Sequence, residues 1–364
     1  MTRIDDHHVG TGADGRVALP PSVRTHWTRE ADEAFDSAPP SGAPPEAVLA
    51  WAAGVAAVVP LPASGRTSAR WEFLASIAAL DVANARMLEP HLDAMAILAE
   101  AAEHDAPIAV AESSTWGVFA SEGPASTVSA VPSGSEWILD GTKPWCSLGA
   151  VLSHALVTAA TGGGGRRLFA VDLRQPGVTA HRGPWVARGL AEVVSAPITF
   201  SNARAEPVGP DGWYLRRPGF AWGGIGVAVC WWGAAIGIAR ALADAAERRA
   251  PDQLGEAALG FVDRNLHVAG ASISDAAFVV DEALRDPDAP SPSVVSKRTR
   301  NIVAAAAAAV TDRVVATLGP GPTTTDETFA KRVADLQLYL AQHHGERDDA
   351  SLGRAITGTG RRPW

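Results

Sequence analysis

WILDGTKPWCSLG, residues 137–149, is the stretch whose reading decides the fold. SEWILDG (135–141) reads as a strand, and AVLSHALVTAAT (150–161) reads as another. KPWCSLG (143–149) therefore connects two strands, and it packs a Pro, a Trp, a Cys and a Ser into one loop. In an extended loop Trp145 and Ser147 point to one side and Cys146 to the other. A tryptophan placed there either anchors the core of a hairpin or offers its flat face to something outside it.

Outward from this loop the same rhythm continues. From PIAVAESS (107–114) to ITFSNARAEPVG (198–209), short runs with Val, Ile, Phe and Trp alternate with PSGS, DG, TGGGG, QPG and RGP. Such spacing predicts a β domain with tight turns. TGGGG is a hairpin loop rather than a phosphate loop, because no helix follows it.

Helical patterns flank the β region. PEAVLAWAAGVAAVV (45–59) is Ala-rich and ends at the breaker cluster PLPASG. Residues 68–104 carry apolar side chains at three- and four-residue spacing, and Pro90 divides them into two helices. After Pro218, four segments read as the helices of an antiparallel bundle: 219–249, 254–284, 295–318 and 327–344. The expected class is α+β, with an N-terminal helical domain, a central small antiparallel β domain and a C-terminal four-helix bundle. The expected boundaries are a Pro-rich, partly ordered arm at 1–44 with a short helix near Glu30–Phe35, then 45–108, 109–212 and 213–353, and a tail at 354–364.

Composition bounds the partners. With 364 residues the chain can bury several real cores, and 47% hydrophobic against 20% charged residues is a globular balance. Its formal charge is −9, without a Lys/Arg run, so nucleic acid is not an expected partner. Two cysteines, Cys146 and Cys230, exclude a disulfide framework and fit a reducing cytoplasm. The first residues lack the apolar core of a signal peptide. Gly219–Ala239 carries no charge and is long enough to cross a bilayer, but six glycines interrupt it and a charged amphipathic stretch continues it. It reads as a buried central helix whose Gly226, Gly233 and Gly237 admit a neighbouring backbone or a flat cofactor, not as a membrane span.

The order of these parts resembles the acyl-CoA dehydrogenase family, from about Pro45 to Gly353. WILDGTKPWCSLG is similar to the family's strand and Lys-x-Trp flavin loop. FASEGPAS (119–126) is similar to its flavin-edge motif, and residues 168–209 to the strands that close its β domain. The glycine-rich central helix and LGPGP (318–322) followed by VADL (333–336) fall in the matching places. The resemblance implies FAD bound against Trp145, Ser147 and the neighbouring Cys146, with Ser121 near the pyrimidine edge, and Arg248 or Arg249 could reach the pyrophosphate from a turn before the altered family position. It implies a small-molecule acyl substrate, such as a CoA thioester, near Thr127 and Gly226. It also implies a homodimer or homotetramer formed through the C-terminal bundle.

The resemblance also shows departures. The family's usual glutamate, counted from Asp335, falls on His343, followed by His344. Its alternative place on the central helix falls near Val227, which cannot act as a base. A histidine can serve near neutral pH, and His343 would lie one turn from Glu346 if the helix continues. The equivalent bland reading is a half-exposed imidazole at a helix C-terminus. The pyrophosphate arginine is replaced by Pro251. Lys297, Arg298 and Arg300 could bind phosphate or form a solvated helix face. Glu89, His91 and Asp93 in EPHLDA read as a helix start rather than a metal site, with only Glu89 and Asp93 sharing a face. Three functions follow: an acyl-CoA dehydrogenase-like flavin oxidoreductase with His343 or His344 as base, a flavin monooxygenase on the same fold, or a non-catalytic relative retained for binding or assembly.

Overall fold

The computed structural model describes residues 15–22, 24–103, 107–123, 128–134, 136–282, 290–358 and 360. Thr127 lies outside these residues. Helices α1 (Arg29–Asp36), α2 (Pro45–Val55), α3 (Thr67–Leu80) and α4 (Val82–Ala101) come first. Local chemistry sets their starts. Thr28 caps α1 by accepting from the Ala31 N–H, and Asp81 caps α4 by accepting from the Asn84 N–H at 2.8 Å. Proline opens α2, where its missing N–H has no helical partner to lose.

Pro90 does not divide α4. The helix runs unbroken from Val82 to Ala101 with Pro90 inside it. Pro90 cannot donate to the Arg86 carbonyl. Burial of both flanks holds the helix together, because Leu88, His91 and Leu92 are all buried.

The strands follow: β1 (Trp116–Phe119), β2 (Ser129–Ser133), β3 (Glu136–Ser147), β4 (His154–Ala160), β5 (Arg166–Asp172), β6 (Val178–Ala180) and β7 (Ser195–Val208). β4 pairs with β5, β5 with β7, β7 with β3 and β3 with β2, all antiparallel. A parallel contact, Ser129 opposite Ala160, returns β2 to β4 and closes the ring into a small barrel. β1 extends it in parallel with β4, Trp116 lying opposite His154.

The rest is helical: α5 (Trp213–Arg216), α6 (Pro218–Arg248), α7 (Gln253–Glu282), α8 (Pro292–Leu318), α9 (Pro320–Thr325), α10 (Glu327–Leu340) and α11 (Glu346–Gly358). Helices α6, α7, α8 and α10 form the bundle. α6 and α8 are both long and apolar enough to cross a bilayer, but 83% of the most apolar window of α6 is buried inside the fold. That helix is hydrophobic all round because it is surrounded by protein. Gly233 and Gly237 face the Ala75 and Ala79 carbonyls of α3, so the glycines admit a helix backbone and not a cofactor. Cys230, Trp231 and Trp232 are buried beside them, and the Trp232 indole donates to the Leu266 carbonyl of α7 at 2.9 Å.

The barrel is tied to the bundle through α10. Asp335 accepts from the Leu190 N–H and pairs with Lys331 at 2.6 Å, and Lys331 also reaches Asp81 and Glu192, each at 3.3 Å.

Candidate functional site

The site begins at a break in the β3–β7 register between Lys143 and Cys146. Lys143 is 0% exposed. Its ammonium lies in the barrel, 2.7 Å from Glu122 Oε1, 2.7 Å from Thr158 Oγ1 and 3.0 Å from the Thr158 carbonyl. Burial pulls its pKa below the ordinary lysine value, against the opposing pull of Glu122. With Lys143 and Cys146 both directed inward, Pro144 and Trp145 bulge out. Trp145 takes φ 58°, a left-handed conformation rare for a bulky residue, and its side chain is 65% exposed. It is not the anchor of a hairpin core.

Glu122 repeats the logic from the other side. Burial raises its pKa, but the hydrogen bonds from Lys143 and Thr158 and the charges of Lys143 and Arg166 outweigh burial and hold it low. That pairing fixes residues 121–123 and leaves Ser121 at the edge of a groove.

The groove has a volume of about 680 Å³ and separates the barrel from α4 and α10. Trp145, Ser147, Ser195 and Ser121 line it from the barrel, and Arg86, Met87, Leu338 and His344 from the helical side. Ser147 Oγ lies 2.7 Å from Ser195 Oγ and 3.3 Å from Arg86 Nη2. Cys146 does not reach this groove. Its thiol donates to the Lys143 carbonyl at 3.3 Å, borders a separate cavity of about 290 Å³, and is pushed by burial up to about 12.

A second cavity of about 810 Å³ shares Arg86, Pro90, Val118, Ser121, Gln342 and His344 with the groove. Two carboxylates one helical turn apart, Glu89 and Asp93, line it. Glu89 is 7% exposed, and among the described residues no donor hydrogen-bonds its carboxylate. Burial and the charge of Asp93 raise its pKa to about 7, outweighing Arg86, Arg70 and Arg300. Burial likewise raises Asp93, although Arg217 Nη2 lies 3.9 Å away. Gly223 of α6 makes room for Asp93: a Cβ there would lie 2.6 Å from Asp93 Oδ1. On the opposite side of α4, His91 Nδ1 accepts from the Trp116 N–H at 3.2 Å, and burial pulls the imidazole down to about 4.

Sequence reasoning did not single out Arg86, and it weighed Glu89 and Asp93 only as metal ligands. The signal for a proton-transfer role was the shared face of those two carboxylates in a largely apolar helix. Reading Pro90 as a helix boundary turned them into a helix start.

The histidines separate. α10 ends at Leu340 and α11 begins at Glu346, so His343 and Glu346 do not share a continuous helix. His343 turns toward α8, with Nε2 3.1 Å from Asn301 Oδ1 and its ring edge-on to Trp231 at 6.3 Å. It lines neither cavity, whereas His344 lines both. Gly226 faces Glu89, with 3.8 Å between Glu89 Oε1 and the position a Cβ would take, and Val227 lines the second cavity. Lys297 and Arg300 line that cavity too, while Arg298 is exposed away from it. Arg249 caps the far end of α6 and opens on a different cavity of about 1040 Å³.

The groove fits the ring of a flavin: an aromatic face at Trp145, apolar walls, and hydroxyls of Ser121, Ser147 and Ser195 at its edges. Arg86 is the one arginine or lysine among its described lining residues, and Arg249 lies elsewhere. The described residues of the groove therefore suit the ring better than a pyrophosphate.

No family model and no curated protein matches the sequence. Solved structures do match. KijD3 in complex with FMN and dTDP-3-amino-2,3,6-trideoxy-4-keto-3-methyl-D-glucose superposes with a TM-score of 0.72 at 20% identity, over 87% of this chain and 86% of that one. Dibenzothiophene monooxygenase TdsC from Paenibacillus sp. A11-2 gives 0.70 at 18%, over 92% and 96%. A steroid ACAD gives 0.67 at 20%, over 86% and 89%. These likenesses span helices, barrel and bundle in one order, and the chain has the acyl-CoA dehydrogenase-like fold that its sequence resembles.

Proposed function

We propose that this chain is a flavin-dependent oxidoreductase acting on a small molecule, with the flavin ring in the groove and the substrate in the adjoining cavity. The observation that carries the reading is Glu89: a buried carboxylate, without a hydrogen-bond donor among the described residues, beside the groove, with a pKa of about 7. A group of that kind takes and returns a proton at neutral pH. It replaces His343 as the proposed base, with His344 at the junction of the two cavities as a contact. Trp145 and Ser147 would hold the ring, Arg86 would orient Ser147 and limit how far the Glu89 pKa rises, and Asp93 would keep Glu89 protonated below neutrality. When bound, the flavin supplies the two-electron chemistry. Glu89 holds the substrate proton that must leave for the oxidation to proceed.

A second reading is oxygen-dependent hydroxylation of a polar substrate. Val227 and His343 stand where the family resemblance implies a carboxylate base. The structures of similar fold include a dibenzothiophene monooxygenase and an FMN-bound protein with an amino-sugar nucleotide.

Titration of the purified protein with FMN and FAD, followed by flavin absorbance, tests the shared part. Absence of binding by either flavin would sink both readings. With flavin bound, anaerobic bleaching by a substrate supports dehydrogenation. Oxygen uptake coupled to substrate loss supports hydroxylation. Glu89→Gln is expected to lower turnover at least a hundredfold while flavin binding persists.

A further inference from the structure

We propose that the cavity containing Glu89 is built for an anionic substrate, a phosphorylated or carboxylated small molecule whose charged end lies against Arg216, Lys297 and Arg300. This rests on the reading of that cavity as the substrate side of a flavin site. Among the described residues, five cations line it, Arg86, Arg216, Arg217, Lys297 and Arg300, against three carboxylates, Glu89, Asp93 and Asp348. That excess is local, because the whole chain carries 40 acidic against 31 basic residues.

The partners of these cations sharpen the inference. Arg216 Nη2 donates to the Asp211 carbonyl at 2.8 Å, and Lys297 Nζ to Ser293 Oγ at 2.6 Å. Arg300 donates to the Gly224 carbonyl and covers the Trp231 ring at 4.9 Å. These neutral acceptors orient the cations without neutralising them. Among the described residues, Arg86, Arg216, Lys297 and Arg300 form no ion pair. Arg217, 5% exposed, pairs with Glu100 at 2.6 Å but leaves its buried Nε without a partner.

The first turn of α8 adds to the same wall. Ser291 precedes Pro292 without making a side-chain cap, and Ser291, Ser293 and Ser296 line the cavity. A 27-residue helix directs its unpaired N–H groups and the positive end of its dipole toward that turn. Hydroxyls, helix N–H groups and cations share this cavity with Glu89, which suits a substrate carrying both an oxyanion and an oxidisable group. An oxyanion would anchor it while a C–H, N–H or O–H group reaches Glu89.

Isothermal calorimetry with inorganic pyrophosphate tests the anion site, and absorbance titrations with FMN and riboflavin identify whose anion it takes. In the full chain, Arg216→Met with Lys297→Met is expected to weaken pyrophosphate binding at least tenfold, and added salt should weaken it in the wild type. Arg264→Met, at an exposed position of α7, should bind as the wild type does, and FMN and riboflavin should each bind the double variant as they bind the wild type. Pyrophosphate binding that survives the double substitution, or is lost equally in Arg264→Met, overturns the inference. So does a double variant that loses FMN but keeps riboflavin, since the anion site would then belong to the cofactor. If neither flavin binds the wild type, the flavin reading fails while the pyrophosphate result still decides the anion site.

Discussion

Arg86 Nη2 lies 3.3 Å from Ser147 Oγ, so a guanidinium of helix α4 meets the strand that carries Trp145 across the groove. The same residue stacks over Tyr339 at 5.6 Å and its charge lowers the proton affinity of Glu89. Arg86→Met should therefore have two effects. Flavin affinity should fall about tenfold, or ~1.4 kcal/mol, by absorbance titration. The acid limb of the pH–rate profile should also move to higher pH, because a positive neighbour of Glu89 is lost. A pH profile unchanged by the substitution would sever Arg86 from Glu89.

Glu89 makes stability depend on pH with a definite sign. The unfolded group ionises near 4.5 and the folded group near 7, so between those values the folded state binds more protons than the unfolded state. Stability must fall as pH rises through that window. The full penalty, on the order of 3 kcal/mol, is present above neutrality. Glu89→Gln removes it, so melting of the variant should exceed that of the wild type more at pH 8 than at pH 4.5. Equal gains at both pH values would contradict a raised pKa.

Trp145 exchanges backbone comfort for an exposed ring. At φ 58°, glycine is favoured over tryptophan by about 1 kcal/mol. Trp145→Gly should leave the melting temperature unchanged or slightly higher while flavin affinity drops at least tenfold. Loss of stability with affinity retained would make the ring a structural element instead.

The architecture was legible because its signals are periodic and repeated. Turn clusters delimit the strands, and the uncharged, glycine-studded 219–239 segment could be only a buried helix or a membrane span. The site was less legible. His343 stood out by counting along an unbroken helix, but the chain turns after Leu340, with Gly345 at φ 54°. Glu89 and Asp93 were read only as a helix start, because Pro90 suggested a boundary where burial on both sides keeps a helix intact. Local residue preferences cannot anticipate that tertiary override.

Lys143 provides a test of the barrel interior. Lys143→Met leaves Glu122 without its ammonium partner, but Glu122 is about one-third exposed and keeps Arg166 at 3.0 Å. A loss of roughly 2 kcal/mol in chemical denaturation is expected, smaller than for a fully enclosed pair. Flavin binding should weaken too, since the Trp145 bulge depends on the anchored lysine.

Two glycines should respond oppositely to alanine. A Cβ at Gly233 would collide with the Ala75 carbonyl carbon and oxygen, so Gly233→Ala should destabilise by about 3 kcal/mol or prevent soluble folding. Gly260, within α7, has nothing within 4 Å of the same atom. Gly260→Ala should raise stability by about 0.5–1 kcal/mol in the same denaturation assay.

Gly223 carries a different meaning. The space left by its absent methyl group lets the Asp93 carboxylate stand against α6, and the charge of Asp93 is one reason Glu89 holds its proton. A larger residue at 223 would displace Asp93, and Glu89 would ionise at lower pH without itself being touched. The acidity of a group on one helix is thus tuned by a hydrogen atom on another, and selection for a different working pH could act at position 223 without replacing Glu89 or Asp93.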